Sequence, residues 1–270
     1  MKNGIVIPCY NESLRLPLQT YQAFLDCCPD YQICFVNDGS QDHTLSLLET
    51  MQAQNPRQVQ VLNLVQNQGK AEAVRLGIQH LFRNHDLQTV GFMDADLSTG
   101  FGEYQNLVQH LRADGPDCEM VFGSRKIKGE SEAERSLFRR LTSKLAGALI
   151  RSVLRLSIKD TQCGAKVFRP ELARIVFDTP FVSRWLFDVE LFVRLKKRYG
   201  RDKIWTKMRE IPLRNWVHVA GSKISVKDSV QLPMQLGQIV LTYHFRPSLQ
   251  QTSRRFKVYR YRLAHSLNLL

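Results

Sequence analysis

The chain reads as an α/β protein built on a mostly parallel central sheet with helices on both faces. Two observations predict this. Through the first 125 residues, apolar runs of strand length alternate with single helical patterns, and one helix between strands implies a crossover connection and parallel pairing. The strand-like runs also end one after another in polar clusters, as they do where a ligand crevice lies beyond the carboxyl ends of an open sheet.

Each element has its own signal. Ile5-Val6-Ile7 opens as a buried strand that breaks at Pro8. Pro17, with φ already set, suits the first turn of a helix carrying Tyr21, Phe24, Leu25 and Cys28 at helical spacing. A second strand runs from Gln32 to Asn37, and after a turn at Asp38-Gly39-Ser40 a helix places Thr44, Leu47, Leu48 and Met51 on one face. Val59 to Leu64 is a third strand. Asn67-Gln68-Gly69 then turns into a helix that aligns Ala71, Val74, Ile78, Leu81 and Phe82, and Thr89 to Met93 is a fourth strand ending in Asp94-Ala95-Asp96. Four polar strand ends therefore meet at one edge: Asn11-Glu12, Asn37 to Ser40, Asn67 to Lys70, and Asp94 to Asp96.

Beyond residue 125 the pattern is less regular. Ala133 to Leu156 lines up Leu137, Phe138, Leu141, Leu145, Leu149, Val153 and Leu156, flanked by Arg135, Arg139, Arg140, Lys144, Arg151 and Arg155. Such a basic amphipathic helix suits a membrane interface or a core contact with a solvated outer face, and the sequence leaves both open. A short strand at Ala165 to Phe168, helices around Glu171 to Phe177 and Asp188 to Tyr199, and a strand from Ile204 to Ile211 are expected next. The tail from Thr252 to Leu270 mixes Lys and Arg with Phe256, Tyr259 and Tyr261, which suggests surface attachment or disorder rather than catalysis.

Charge separates the two halves. Residues 1–120 carry 7 Lys+Arg against 14 Asp+Glu, whereas residues 121–270 carry 31 against 11. The basic half suits a polyanion, a phosphate-bearing substrate or an anionic membrane surface. No apolar run approaches the roughly 20 residues of a spanning helix, and Met1 to Tyr10 lacks the apolar stretch of a signal peptide, so a cytoplasmic chain starting here is expected. Six cysteines without CxxC spacing read as buried hydrophobes in a reducing compartment rather than a zinc site. The absence of GxGxxG after the first strand and of GxxxxGK[ST] anywhere disfavours a dinucleotide dehydrogenase and a P-loop NTPase.

Asp94-Ala95-Asp96 offers two hard carboxylates on alternate residues at a strand end, a donor set suited to Mg²⁺ or Mn²⁺ bridging a diphosphate. Asn37 to Asp42 could read a base or ribose edge and equally could cap the helix that follows. Asn67-Gln68-Gly69-Lys70 presents helix N-terminal amides suited to an anion, although turn chemistry alone would explain it.

In this order the motifs Ile7-Pro8-Cys9-Tyr10-Asn11-Glu12, Val36 to Asp42, Asn67 to Lys70 and Met93 to Ser98 resemble glycosyltransferase family 2, inverting nucleotide-sugar transferases with a GT-A fold. Gly123-Ser124-Arg125, Asp160 to Phe168, Arg184 to Glu190 and Gly221-Ser222-Lys223 are similar to the subgroup that glycosylates polyprenyl phosphates. The resemblance covers roughly residues 3–230. It implies a GT-A domain over 1–230, with a nucleotide-binding half at 1–125 and an acceptor half at 126–230, followed by a basic extension at 231–270. It implies that Pro8, Asn11, Glu12, Asp38, Lys70 and Asp94 bind the nucleotide, and that Asp94 and Asp96 hold the metal. Arg125, Arg139, Arg140, Ser222 and Lys223 would meet the acceptor phosphate. Ser98 stands where mannosyl-phosphate synthases of the subgroup carry a Gln ligand, which tilts the donor toward UDP-glucose, and Asn37 replaces a frequent Asp.

Displacing a nucleoside diphosphate requires the leaving charge to be neutralised, a role for a metal on Asp96. A phosphate monoester, with second pKa about 6, is already mostly a dianion at neutral pH and needs no strong base. A hydroxyl acceptor does, and Asp160, then Asp188 and Glu190, are the candidates. The expected partners are a nucleoside-diphosphate sugar, a lipid phosphate acceptor and an anionic membrane surface, with a membrane protein as a further candidate. The enzyme would then be peripheral on the inner face. Transfer to a polysaccharide or glycolipid hydroxyl is the main rival. A nucleic-acid binder would leave the acidic strand ends idle, so no nucleic acid is expected.

Overall fold

The computed structural model describes residues 2–125, 147–184, 186–217, 219 and 226–245. Its sheet has seven strands: β1 (Lys2–Cys9), β2 (Tyr31–Asp38), β3 (Val59–Leu64), β4 (Leu87–Phe92), β5 (Met120–Ser124), β6 (Lys166–Phe168) and β7 (Met208–Pro212). Their order across the sheet is β3-β2-β1-β4-β6-β5-β7. All pairings are parallel except those of β6, which is antiparallel to both β4 and β5.

Every residue of β2 is buried, as expected where helices cover both faces of a parallel sheet. Alternate residues serve opposite cores. Ile5, Ile7, Ile33 and Phe35 pack with α1 (Leu18–Cys27), α2 (Thr44–Gln54) and α4 (Phe101–Ala113) through Tyr21, Phe24, Leu48, Tyr104 and Leu107. Val6, Cys34 and Val36 turn to the other face. There they meet α3 (Lys70–Asn84), a helix over residues 147–154 (α5), α6 (Pro170–Val176), α7 (Phe187–Lys207) and α8 (Val226–Phe245).

The first four strands and three helices lie where the apolar periodicity placed them. Pro17 stands one residue further out than expected, at the N-cap of α1 rather than in its first turn. α4 and β5 complete the alternation. The expected strand from Ile204 is corrected: α7 runs on to Lys207 and β7 begins at Met208. α7 is interrupted at Gly200, whose φ of 76° is open to glycine, and the helix restarts with Ile204 facing the core and Trp205 facing out.

Within the basic segment expected to form one amphipathic helix, α5 buries Ile150 and Leu154 and leaves Arg151 exposed. That end of the segment packs on the core. Residues 133–146, with Arg139 and Arg140, lie outside the described residues, as do Ser222 and Lys223. α8 starts before residue 231, where a separate extension was expected, and buries Leu236 and Ile239 in the core of its face. No helix among the described residues is long and apolar enough to cross a membrane. None of the six cysteines forms a disulfide, and four are buried.

The reversal at β6 positions the site. Because β6 runs against its neighbours, its first residue, Lys166, stands opposite Phe92 and Phe122 near the carboxyl ends of β4 and β5. The segment leading into it is thereby delivered to the edge where the parallel strands end.

Candidate active site

The strand ends, together with the segment after β7, enclose a cleft of about 880 Å³. Pro8, Asn11, Glu12, Asp38, Lys70, Asp94, Asp96 and Arg125, all expected from the sequence, line it. Arg15, Gln162, Arg184, Asp188 and Trp216 line it as well.

The loops after β1 and β2 are sewn together. Asn11 adopts a left-handed φ of 49°, which Asn tolerates better than most residues. Its backbone N–H donates to Ser40 Oγ at 3.0 Å, and its Oδ1 accepts from the Gln41 N–H at 2.8 Å. The Glu12 N–H donates to Thr44 Oγ1 at 2.8 Å. Asp42 accepts from Ser13 on one oxygen and from Thr44 on the other. Burial opposes its charge, yet these donors hold its carboxyl well below the usual range.

Asp38 binds the next loop, accepting from the Gln68 and Gly69 N–H groups at 2.7 and 2.9 Å. Burial outweighs these donations and raises its pKa. Asn37 points sideways, its amide donating to Asn63 Oδ1 at 2.7 Å. Arg184 closes this corner by donating to the Gln68 and Asn67 carbonyls and to Asn67 Oδ1.

The Asp94-Ala95-Asp96 turn rests on buried Tyr21, whose hydroxyl donates to the Ala95 carbonyl at 3.1 Å. Each aspartate carries a cation. Lys70 Nζ lies 2.5 Å from Asp94 Oδ1, and Arg15 Nη2 lies 3.0 Å from Asp96 Oδ2, while Asp96 Oδ1 accepts from the Ser98 N–H. Burial works against the Lys70 charge, but Asp94 and then Asp188 hold the ammonium above its ordinary value. Burial likewise works against ionised Asp94, and Lys70 outweighs it. Gly164, on the segment leading into β6, backs this carboxylate so closely that a β-carbon there would stand 1.9 Å from Asp94 Oδ2.

Asp160, expected as a base, lies against Arg125. Its two oxygens grip Arg125 through the side-chain Nε at 2.6 Å and Nη2 at 2.9 Å and through the backbone N–H at 3.0 Å. Burial disfavours its charge, but Arg125 holds its carboxyl below the ordinary value. The carboxylate thereby fixes the Arg125 guanidinium, which sits 5.6 Å from the Trp216 ring centroid. Asp188 accepts from fully buried Lys166 at 2.6 Å, and Lys166 also donates to the Cys163 carbonyl at 2.7 Å. Glu190 accepts from the Val182 and Ser183 N–H groups, Arg194 and Tyr243.

Of the lining residues not singled out from the sequence, Arg184 belongs to the Arg184-to-Glu190 motif and could have been read there. Arg15, three residues after Glu12, and Trp216 carried no local signal.

No group of three or more His, Cys, Asp or Glu among the described residues is arranged to hold a metal alone. Asp94 and Asp96 nevertheless fit a divalent ion of the kind bound by one or two carboxylates plus substrate phosphates. They are hard oxygen donors on alternate residues facing one cleft.

Comparison with known proteins agrees with this architecture. The pattern of glycosyl transferase family 2 matches residues 4–177. The chain is 36% identical over 235 residues to a dolichyl-phosphate β-glucosyltransferase of Drosophila melanogaster, covering 82% of this chain and 69% of that protein. With the human dolichyl-phosphate β-glucosyltransferase it shares 33% identity over 234 residues, again 82% and 69% of the two chains. Among solved structures, glucosyl-3-phosphoglycerate synthase from Mycobacterium tuberculosis in complex with Mn²⁺, UDP and phosphoglyceric acid superposes with a TM-score of 0.66 at 16% identity. That match covers 92% of this chain and 80% of the other, a likeness of fold. The same enzyme with Mn²⁺ and UDP-glucose also gives 0.66, at 15% identity over 92% and 80%. By its sheet order, its cleft and these matches, the chain belongs to glycosyl transferase family 2, with a GT-A fold, and is related to the dolichyl-phosphate β-glucosyltransferases.

Proposed function

We propose that the protein is a metal-dependent inverting transferase that moves glucose from UDP-glucose to a polyprenyl phosphate at a membrane surface. The observation that carries this reading is the meeting of Asp94 and Asp96 with Arg15, Lys70, Arg125 and Arg184 in one cleft at the carboxyl edge of the sheet. The names of its relatives support glucose as the sugar and a lipid phosphate as the acceptor, and the complex of the structural neighbour with Mn²⁺ and UDP-glucose supports the nucleotide donor.

Pro8, Asn11, Glu12 and Asp38 would line the nucleoside end, with Asp38 holding the Gln68-Gly69 amides in place. Asp94 and Asp96 would hold Mg²⁺ or Mn²⁺, which when bound supplies Lewis-acid stabilisation of the departing diphosphate. Lys70 and Arg184 flank the same volume and add positive charge toward the phosphates. Arg125, fixed by Asp160, would grip the acceptor phosphate and aim one oxygen at the anomeric carbon from the side opposite the leaving group. The bidentate pair presets the guanidinium, so less side-chain freedom is lost on binding.

The committed partners of the three candidate bases favour a phosphate acceptor over a hydroxyl. Asp160 is engaged by Arg125, Asp188 by Lys166, and Glu190 by Arg194 and Tyr243. A phosphate dianion attacks without them. The basic second half would hold the enzyme peripherally on the inner membrane face, directly or through a membrane protein. The domain reading of 1–230 plus a basic extension at 231–270 is proposed with one qualification of place: α8 crosses residue 230, and its Leu236 and Ile239 pack in the core, so the extension begins as part of the domain.

The test is radiolabelled transfer by the purified protein with Mn²⁺. UDP-glucose and GDP-mannose are the donors, and polyprenyl phosphate, phosphoglycerate and a sugar hydroxyl the acceptors. Glucose moving from UDP-glucose to the lipid phosphate, with inversion at the anomeric carbon and loss of turnover under chelation, is expected. Transfer only to the hydroxyl, or only to the soluble phosphate, overturns the acceptor assignment.

A further inference from the structure

Both aspartates of the Asp94-Ala95-Asp96 turn are neutralised by the chain itself, and each cation that does so has a second carboxylate at hand. Arg15 Nη2 holds Asp96 at 3.0 Å while its Nε lies 3.8 Å from Glu12 Oε2. Lys70 Nζ holds Asp94 at 2.5 Å within the field of Asp188. All four side chains of the two pairs are partly open to the cleft, with exposures of 20 to 34%. The cations arrive from separate elements, Arg15 from the loop after β1 and Lys70 from the first residue of α3.

A divalent ion reaching these aspartates meets a like charge already in contact with each, and at such separations the repulsion is worth kilocalories rather than tenths. A diphosphate changes that balance. Guanidinium and ammonium groups bind phosphate oxygens with charge-assisted hydrogen bonds, so Arg15 and Lys70 can leave the aspartates without losing an anionic partner. Glu12, 3.8 Å from Arg15, and the charge of Asp188 near Lys70 would favour both cations staying in the cleft during the exchange.

We propose that Arg15 and Lys70 are resident counter-ions of the metal-binding aspartates, released to the diphosphate as the metal takes their place, so that divalent ion and nucleotide bind as a coupled pair. This inference rests on the donor site proposed above. Coupling of this kind is reciprocal: the factor by which nucleotide tightens metal equals the factor by which metal tightens nucleotide.

The experiment titrates Mn²⁺ into the full chain, reading free Mn²⁺ by electron paramagnetic resonance, with and without saturating UDP. Thermal melts confirm that each variant is folded. In the wild type, UDP should tighten Mn²⁺ about tenfold or more, a coupling of about 1.4 kcal/mol or more. Arg15→Met and Lys70→Met should each tighten Mn²⁺ alone about tenfold and shrink the coupling. Arg15→Lys keeps the charge and should leave Mn²⁺ alone as weak as in the wild type. Mn²⁺ binding the wild type equally well without UDP, or the Met variants no better than the wild type, overturns the inference. Should one Met variant fail to fold, the other and the wild-type coupling still decide. If the wild type binds Mn²⁺ and UDP together without coupling, only this inference fails. If it binds no UDP under any condition, the donor site fails with it.

Discussion

At Gly164 a β-carbon would stand 1.9 Å from Asp94 Oδ2, so the smallest possible change at that position moves a carboxylate of the proposed metal site. Gly164→Ala should lower kcat/KM for UDP-glucose by about 100-fold, the scale of a displacement near 1 Å at a reacting centre. Its melting temperature should stay within a few degrees of the wild type, and an unchanged kcat/KM with a lowered melting temperature would assign the glycine to folding instead. Asp160 makes a prediction about pH. Burial opposes its charge and Arg125 more than compensates, so its folded pKa lies below the ordinary carboxylate value. A depressed carboxyl contributes stability that is present above the unfolded pKa, about 3.9, and is lost as pH falls through the folded value. Urea midpoints of the wild type should therefore fall on acidification below about pH 4, and Asp160→Asn should be less stable at pH 7 with a flatter profile in that window. Parallel profiles would mean that the pair adds nothing to folding. Both residues sit beside a turn in the sequence, at Asp160 to Gly164. The turn was legible there, but its target was not: Asp94 and Arg125 are dozens of positions away.

Among the elements, the break in α7 isolates backbone conformation from contact. Gly200 has φ 76° and nothing within 4 Å of where a β-carbon would stand. Gly200→Ala should cost about 1–3 kcal/mol through backbone strain alone, and Gly200→Asn a similar amount, since with ψ at 171° this is a region essentially confined to glycine and not the left-handed helical one that Asn visits. Chemical denaturation of both variants checks the loss, and equal stability of the Ala variant and the wild type would refute it. The same glycine explains why the expected strand from Ile204 was misplaced. Helical burial resumes after the break, and the strand that follows, Met208–Pro212, is only five residues long and partly exposed along much of its length. β1 to β4 were legible because β1 and β2, buried on both faces, read as unbroken apolar runs bounded by turn residues. β5, also five residues, is too short for a period to declare itself. α4 did carry a helical stripe in Phe101, Tyr104, Leu107, Val108 and Leu111, all buried.

On the scale of the whole molecule, the antiparallel strand β6, interior to the sheet beside β4, brings a fully buried lysine to the cleft edge. Lys166 donates to Asp188 at 2.6 Å and to the Cys163 carbonyl at 2.7 Å, with its ammonium 5.4 Å from the Phe92 ring centroid. Removing one partner leaves the other charge buried, so Lys166→Met should cost about 3–5 kcal/mol in urea unfolding, and Lys166→Met with Asp188→Leu should recover much of it. A mild single variant would show that water reaches the pair. The sheet, its mostly parallel pairing and the edge that bears the cleft were determined by the sequence itself, because apolar period, turn residues and the polar ends of strands are local properties of the chain. The pairing of charges was decided only by the tertiary structure. Arg15 meets Asp96 across 81 positions and Arg125 meets Asp160 across 35, and no local pattern couples residues so far apart. The crossovers of the sheet and the reversal at β6 bring them together, after which burial and Coulomb attraction select each partner.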